Sequence, residues 1–175
     1  TAQLYAVWTA GDGYGYRVEH YVQQPDGSYR VDTTASFSGV MDSEVSASSI
    51  RIQGYTFNAD HPDNVLSGTI NAEGTLVLKL HYDLQSYTAT LVDENGAELA
   101  CWKVPYGGAV TVPADAQTPV REGYTFTGWA DLGIMPAKDM TYSVADYGSW
   151  KANAYTVRFD ANGGENAPDG INCTA

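Results

Sequence analysis

The stretch Gly123-Tyr124-Thr125-Phe126-Thr127-Gly128-Trp129 constrains this chain most, because Gly54-Tyr55-Thr56-Phe57-Asn58 restates its core 69 residues earlier. A second landmark keeps nearly the same step: strand-like openings begin at Tyr16, Tyr87 and Tyr155, 71 and 68 residues apart. Self-similarity at a fixed period marks a repeat array in which each period is one folding unit. Within Gly-Tyr-Thr-Phe, alternation sends both aromatic rings to one face of a strand and the threonine to the other, and the leading glycine supplies a turn. The landmarks predict two complete repeats, residues 14–84 and 85–152, with a closing strand of a truncated repeat at 1–13 and the opening strands of another at 153–175. Thr1 reads as the middle of a longer protein.

Thirteen tyrosines, eighteen glycines and no long stretch with helical periodicity point to a mainly β or α+β fold with little helix. Asp26-Gly27 and Asn95-Gly96 are hairpin signals that follow the first two openings. Strand 75–82 alternates, with Leu76, Leu78, Leu80 and Tyr82 on one face and Val77, Lys79 and His81 on the other. Helix is expected only at 41–50, where Asp42 and Ser43 are N-cap types but β-branched Val45 and three serines leave a plain turn as the alternative, and for one turn at 119–122. Phe57, Tyr124, Phe126 and Trp129 are the predicted core residues of the repeated strand.

A net charge of −12 and a pI near 4.3 repel phosphate backbones and anionic bilayers, so nucleic acid is not an expected partner. Apolar runs fall short of the roughly 18 to 20 residues that span a bilayer, so membrane insertion is not expected, and no stretch reads as a signal peptide. Cys101 and Cys173 follow the Asn95-Gly96 and Asp169-Gly170 turns at similar depths in successive repeats, which predicts that they do not pair.

Catalysis requires a nucleophile, base or metal held together. His20, His61 and His81 show no His-x-x-x-His spacing, and the cysteines no Cys-x-x-Cys spacing, so no catalytic residue, cofactor or metal is expected. Lys79, Lys103, Lys138 and Lys151 carry no sign of a Lys to Asn cross-link. The loop Asp60-His61-Pro62-Asp63-Asn64 clusters oxygen ligands but lacks the Asp-x-Asp-x-Asp-Gly order of a calcium loop, and it reads as a solvated turn. Exposed aromatic rings stack on sugars and supply low-entropy contact area. Asp60, His61, Asp63 and Asn64 with Tyr55 and Tyr82 are therefore the candidate ligand surface.

Tyr155-Thr156-Val157-Arg158-Phe159-Asp160-Ala161-Asn162-Gly163-Gly164, residues 119–129 and Met135-Pro136-Ala137-Lys138-Asp139-Met140-Thr141 together closely resemble the internalin-type B-repeat, or Listeria and Bacteroides repeat. Leu4-Tyr5-Ala6-Val7-Trp8 resembles its closing strand, and residues 16–83 are similar to the MucBP, or mucin-binding, repeat. The resemblance implies tandem small β-grasp-like (ubiquitin-like) units without a shared catalytic site. It further implies a non-catalytic stalk or spacer on a secreted or wall-attached bacterial surface protein, extracellular and anchored through other parts of the chain. Adhesion to host mucin, glycan or a surface protein goes with that, and the alternative makes the MucBP-like unit itself a glycan or protein receptor. Residues around Asp146-Tyr147-Gly148 are extra relative to the B-repeat pattern and predict a bulge before Trp150. The end strands at 4–8 and 155–161 each lack a unit, and predict either weak head-to-tail self-association or docking on the neighbouring unit.

Overall fold

The computed structural model describes residues 13–165 and 167–175. The chain divides into two compact units, Thr1–Gln85 and Ser86–Ala175.

Unit 1 opens with a hairpin of β1 (Tyr14–Gln23) and β2 (Tyr29–Gly39), turned at Asp26-Gly27 with Gly27 at φ 85°. β3 (Glu44–Ser46), β4 (Tyr55–Phe57), β5 (Ser67–Thr69) and β6 (Val77–Leu84) follow. The main sheet has the order β2-β1-β6-β4, and β3 with β5 forms a separate pair. β1 is antiparallel to β2 and parallel to β6, while β4 is antiparallel to the end of β6. First and last strands therefore lie side by side, the pairing a β-grasp unit requires. Alternation along both places Val18, Val22, Leu78, Leu80 and Tyr82 in one buried cluster, with Tyr55, Ile52 and Phe57 packed at its edge.

No helix forms at 41–50. Asp42 takes φ 62°, its N–H reaches Ile70 O at 2.9 Å, and Ile70 N–H returns to Ser43 O at 3.0 Å, so the segment turns and continues as β3. β-Branched Val45 and the local hydrogen bonding of Ser43 favour this over helix.

Unit 2 repeats the plan with a cut. β7 (Ser86–Val92) pairs antiparallel with β8 (Glu98–Pro105) and parallel with β10 (Met140–Ser143). β9 (Tyr124–Trp129) pairs antiparallel with β11 (Gly148–Ala152). Between β10 and β11 stands α1 (Val144–Tyr147), capped by the Ser143 hydroxyl, which accepts the Ala145 N–H at 3.1 Å. The closing strand that is continuous as β6 in unit 1 is thus split: β10 serves the opening strand and β11 serves the Gly-Tyr-Thr-Phe strand. The residues expected to bulge form this single helical turn, and a register shift between Ser149 and Trp150 follows it. Tyr55 and Tyr124 open strands with the same topological place, each antiparallel to the end of the closing segment.

The expected helical turn at 119–122 is instead a tight turn closed by Gly123 at φ 78°, with Tyr124 N–H on Arg121 O at 3.1 Å. The unit-2 core is Ala89, Leu91, Val104, Val110, Leu132, Met135 and Tyr142, with Trp129 packed against it. Tyr124 and Phe126 are half-buried and lie outside that cluster, a correction to their expected core role. Their two-stranded sheet packs ring on ring: Phe126 meets Trp129 at 5.1 Å and Trp150 at 5.2 Å, and the Arg121 guanidinium lies 4.3 Å over Tyr124.

β12 (Ala154–Val157) and β13 (Ile171–Thr174) close the chain as an exposed hairpin. Val157 pairs with Ile171, so this strand finds its ladder partner within its own segment. The strand expected at 4–8 lies outside the described residues. Cys101 on β8 and Cys173 on β13 are exposed free thiols.

Candidate functional site

Residues of β1 and β6 that alternate away from the unit-1 core, Tyr21, Lys79 and His81, point to the outer face of the sheet. With Tyr29, Asp63 and Asn64 they line an open cleft of about 490 Å³. The loop after β4 forms one wall and is tied by its own amides. Asn58 Oδ1 accepts the Asp60 N–H at 3.1 Å, Asn64 Nδ2 donates to Asn58 O at 2.8 Å, and Val65 and Lys79 exchange backbone bonds at 2.9 and 2.8 Å. That second bond fixes the Asn64 amide so that its oxygen faces β6, where it accepts the His81 backbone N–H at 2.9 Å and His81 Nδ1–H at 3.1 Å.

The rings form a continuous stack. His61 lies parallel to His81 with centroids 4.0 Å apart, Tyr21 stacks on His81 at 4.8 Å, and Tyr29 meets His61 and His81 edge-on at 4.6 and 5.2 Å. This covering leaves His81 only 5% exposed although it faces away from the core. Burial first, and then neighbouring His61, hold its pKa below 6.5 against the opposing pull of Asp63. The Tyr29 hydroxyl donates to Asp83 Oδ1 at 2.5 Å, and Asn58 Nδ2 donates to the other carboxylate oxygen at 2.9 Å. Burial, followed by the Asp83 hydrogen bond and charge, pushes the Tyr29 phenol up to about 12, which holds its proton on the ring oxygen and suits it to structure rather than to nucleophilic attack.

The structure brings His61, Asp63 and Asn64 together as the sequence suggests, and leaves Asp60 exposed outside the lining. Tyr82 is corrected. It is 1% exposed on the core face, where its hydroxyl meets Ile50 N–H and His20 Nδ1. Tyr55 is corrected too, since it packs half-buried against the same core cluster. Both sit on the wrong side of the sheet for the cleft. Tyr21, Tyr29, Lys79 and His81 are the residues that sequence reasoning missed. The alternation of 75–82 had already placed Lys79 and His81 on the outer face, but nothing local linked them to the loop.

Fold and cleft define a tandem, almost wholly β repeat protein with an aromatic site on its first unit. Residues 87–141, within unit 2, match the model of the Listeria-Bacteroides repeat domain. The chain is also similar to internalin H of Listeria monocytogenes, 31% identical over 120 residues, which covers 62% of this chain and 19% of internalin H. A protein named "Putative membrane protein" from Evansella cellulosilytica is 28% identical over 130 residues, 67% of this chain and 19% of its own length. A "Putative Gly-rich membrane protein" of the same organism is 25% identical over 123 residues, 64% of this chain and 14% of its own. The chain spans about a fifth or less of each of these relatives. Among the described residues no helix is long and apolar enough to cross a membrane.

Proposed function

We propose that this chain is a load-bearing spacer in the extracellular repeat region of a bacterial surface protein, non-catalytic and anchored through parts of the protein outside this sequence. The observation that carries the reading is the parallel pairing of opening and closing strands in both units, β1 with β6 and β7 with β10. Tension applied to unit 1 along the chain enters at the start of β1 and leaves at the end of β6, which are opposite ends of one parallel pair. The ladder is therefore loaded in shear, with all its bonds strained together, rather than peeled one at a time. Only Gln85 separates β6 from β7, so load leaving unit 1 passes directly to the next opening strand. The partial likeness to internalin H and to two membrane proteins supports a surface setting.

Single-molecule pulling tests this. With handles at the chain ends, unit 1 should unfold at much higher force than with handles at residues 13 and 75, which lie at the same end of the β1/β6 pair. Equal forces in the two geometries would overturn the spacer reading.

The cleft favours a second role in adhesion, with unit 1 acting as a mucin-binding kind of repeat. It offers aromatic rings beside the amide of Asn64, the carboxylate of Asp63 and the ammonium of Lys79, the group types that recognise a glycan or a peptide. Glycan arrays and mucin pull-down with the chain and its Tyr21→Ala variant test it; binding indifferent to Tyr21 would exclude the cleft.

A further inference from the structure

We propose that His61, Asp63 and His81 form a divalent-cation site of the zinc class on the outer face of unit 1, independent of any spacer or adhesive role. The ligating atoms of these three residues all lie within 4.8 Å of one another. Bonds of about 2.0 to 2.2 Å to a tetrahedral ion place ligand atoms roughly 3.4 Å apart, so the set closes by little more than 1 Å.

The ligands divide into a fixed one and two that adjust. His81 is on β6, 5% exposed, and clasped between the Tyr21 and His61 rings. Its Nδ1–H is committed to Asn64 Oδ1, and Asn64 is itself held by the Asn58 carbonyl. Nε2 is left with its lone pair available, the arrangement in which a hydrogen bond to one imidazole nitrogen orients the other toward a metal. His61 and Asp63 sit on the loop, half-buried and exposed respectively, with freedom to turn. In the stack the two imidazole planes are 8° from parallel, so His61 must tilt for its nitrogen to converge with that of His81. Besides the ring contacts with His81 and Tyr29, His61 is held by a long 3.2 Å bond in which Asp63 N–H donates to its Nδ1. Coordination through either ring nitrogen breaks that bond, which makes the Asp63 amide a reporter of the event.

The chemistry selects the metal class. Two imidazoles and one carboxylate suit zinc and its neighbours, whereas calcium takes six to eight oxygens and magnesium keeps its waters. Three protein ligands leave a fourth position open toward the cleft. A chain of net charge −12 also concentrates cations near its surface.

The test uses the full chain with Cys101→Ser and Cys173→Ser, because those exposed thiols would bind zinc themselves. Zn²⁺ titrated by calorimetry should bind one ion per chain, Ca²⁺ should give no saturable heat, and Co²⁺ should give the visible absorption of a four-coordinate ion. The Asp63 amide resonance should move on zinc addition. His61→Gln, on the loop, should weaken binding at least tenfold while circular dichroism stays unchanged, Asn64→Ala should weaken it about tenfold through the orientation of His81, and Asp60→Asn should leave it intact. Absence of saturable one-to-one zinc binding, or zinc binding unchanged in His61→Gln, would overturn the proposal.

Discussion

Replacing Tyr82 by phenylalanine isolates a buried polar contact from the packing around it. The ring stays, so no cavity opens among Val18, Leu78 and Leu80, and the whole effect comes from the lost hydroxyl. That oxygen accepts Ile50 N–H at 3.0 Å and lies 2.9 Å from His20 Nδ1. With Ile50 N–H on one lone pair, the hydroxyl still bonds His20 Nδ1, as donor or acceptor according to the imidazole tautomer. Ile50 is 45% exposed, so water can replace its partner and the net loss there is about 0.5 kcal/mol. His20 is 5% exposed and keeps a stranded ring nitrogen, which costs about 1 to 2 kcal/mol. Together the substitution should remove about 2 kcal/mol from unit 1. Urea unfolding of the whole chain reads this by two probes. In a Trp8→Phe background the remaining tryptophans, Trp102, Trp129 and Trp150, are all in unit 2, so their fluorescence transition should stay in place while the far-ultraviolet transition of unit 1 moves to lower urea with the same slope. A loss below about 0.5 kcal/mol would refute the claim that this hydroxyl satisfies a buried histidine.

Trp129→Ala should cost unit 2 about 1.5 to 3 kcal/mol, less than the 3 to 5 of a fully buried ring, because Trp129 is only half-buried; thermal melting followed by circular dichroism checks it. Gly148→Ala should cost about 1 to 3 kcal/mol by the same measurement, since a Cβ there would stand 2.5 Å from the Val144 carbonyl oxygen while φ, at −84°, is ordinary. Burial lowers the pKa of His20 below 6.5 despite the opposing charge of Asp32, so the unfolded chain binds this proton more readily. Unit 1 should therefore hold the full His20 contribution above pH 6.5 and lose it on acidification toward the folded-state pKa, a loss that His20→Phe should flatten in urea titrations across that range.

The repeat period, both hairpins and the inward face of β6 were legible because each rests on local signals: turn dipeptides, alternation, and a motif that recurs. At 41–50 the capping residues argued for a short helix and Val45 with the serines for a turn, and a backbone exchange between Asp42, Ser43 and Ile70 decided for the turn. The closing segment of unit 2 was half legible, since its extra residues and the register shift before Trp150 were expected and the helical turn α1 was not. The cleft was least legible. His61 and His81 are 20 residues apart in sequence, and only the return of the loop onto β6 through Asn64 stacks them. Tyr82 was assigned to the surface although its alternation with Leu78 and Leu80 already placed it inside.

The strand pairings also decide whether the cleft belongs to the repeat or to one unit. Tyr16 and Tyr87 mark equivalent starts, so Tyr21 corresponds to Val92 and His20 to Leu91. His20 pairs with Leu80 and Tyr21 with His81, while Leu91 pairs with Tyr142 and Val92 with Ser143. The place of His81 in unit 2 is thus held by Ser143, and the next residue, Val144, takes the buried place of Tyr82. Ser143 does something that histidine cannot: its hydroxyl caps α1 and starts the turn that diverts the closing strand. Counting from the hairpin glycines Gly27 and Gly96, Tyr29 corresponds to Glu98, so three of the cleft's rings are absent from unit 2 together. Continuity of the closing strand and possession of the aromatic cleft are therefore one structural choice. Unit 1 keeps β6 unbroken, which carries Lys79 and His81 along the outer face to the loop, while unit 2 keeps the shared topology and gives up the surface.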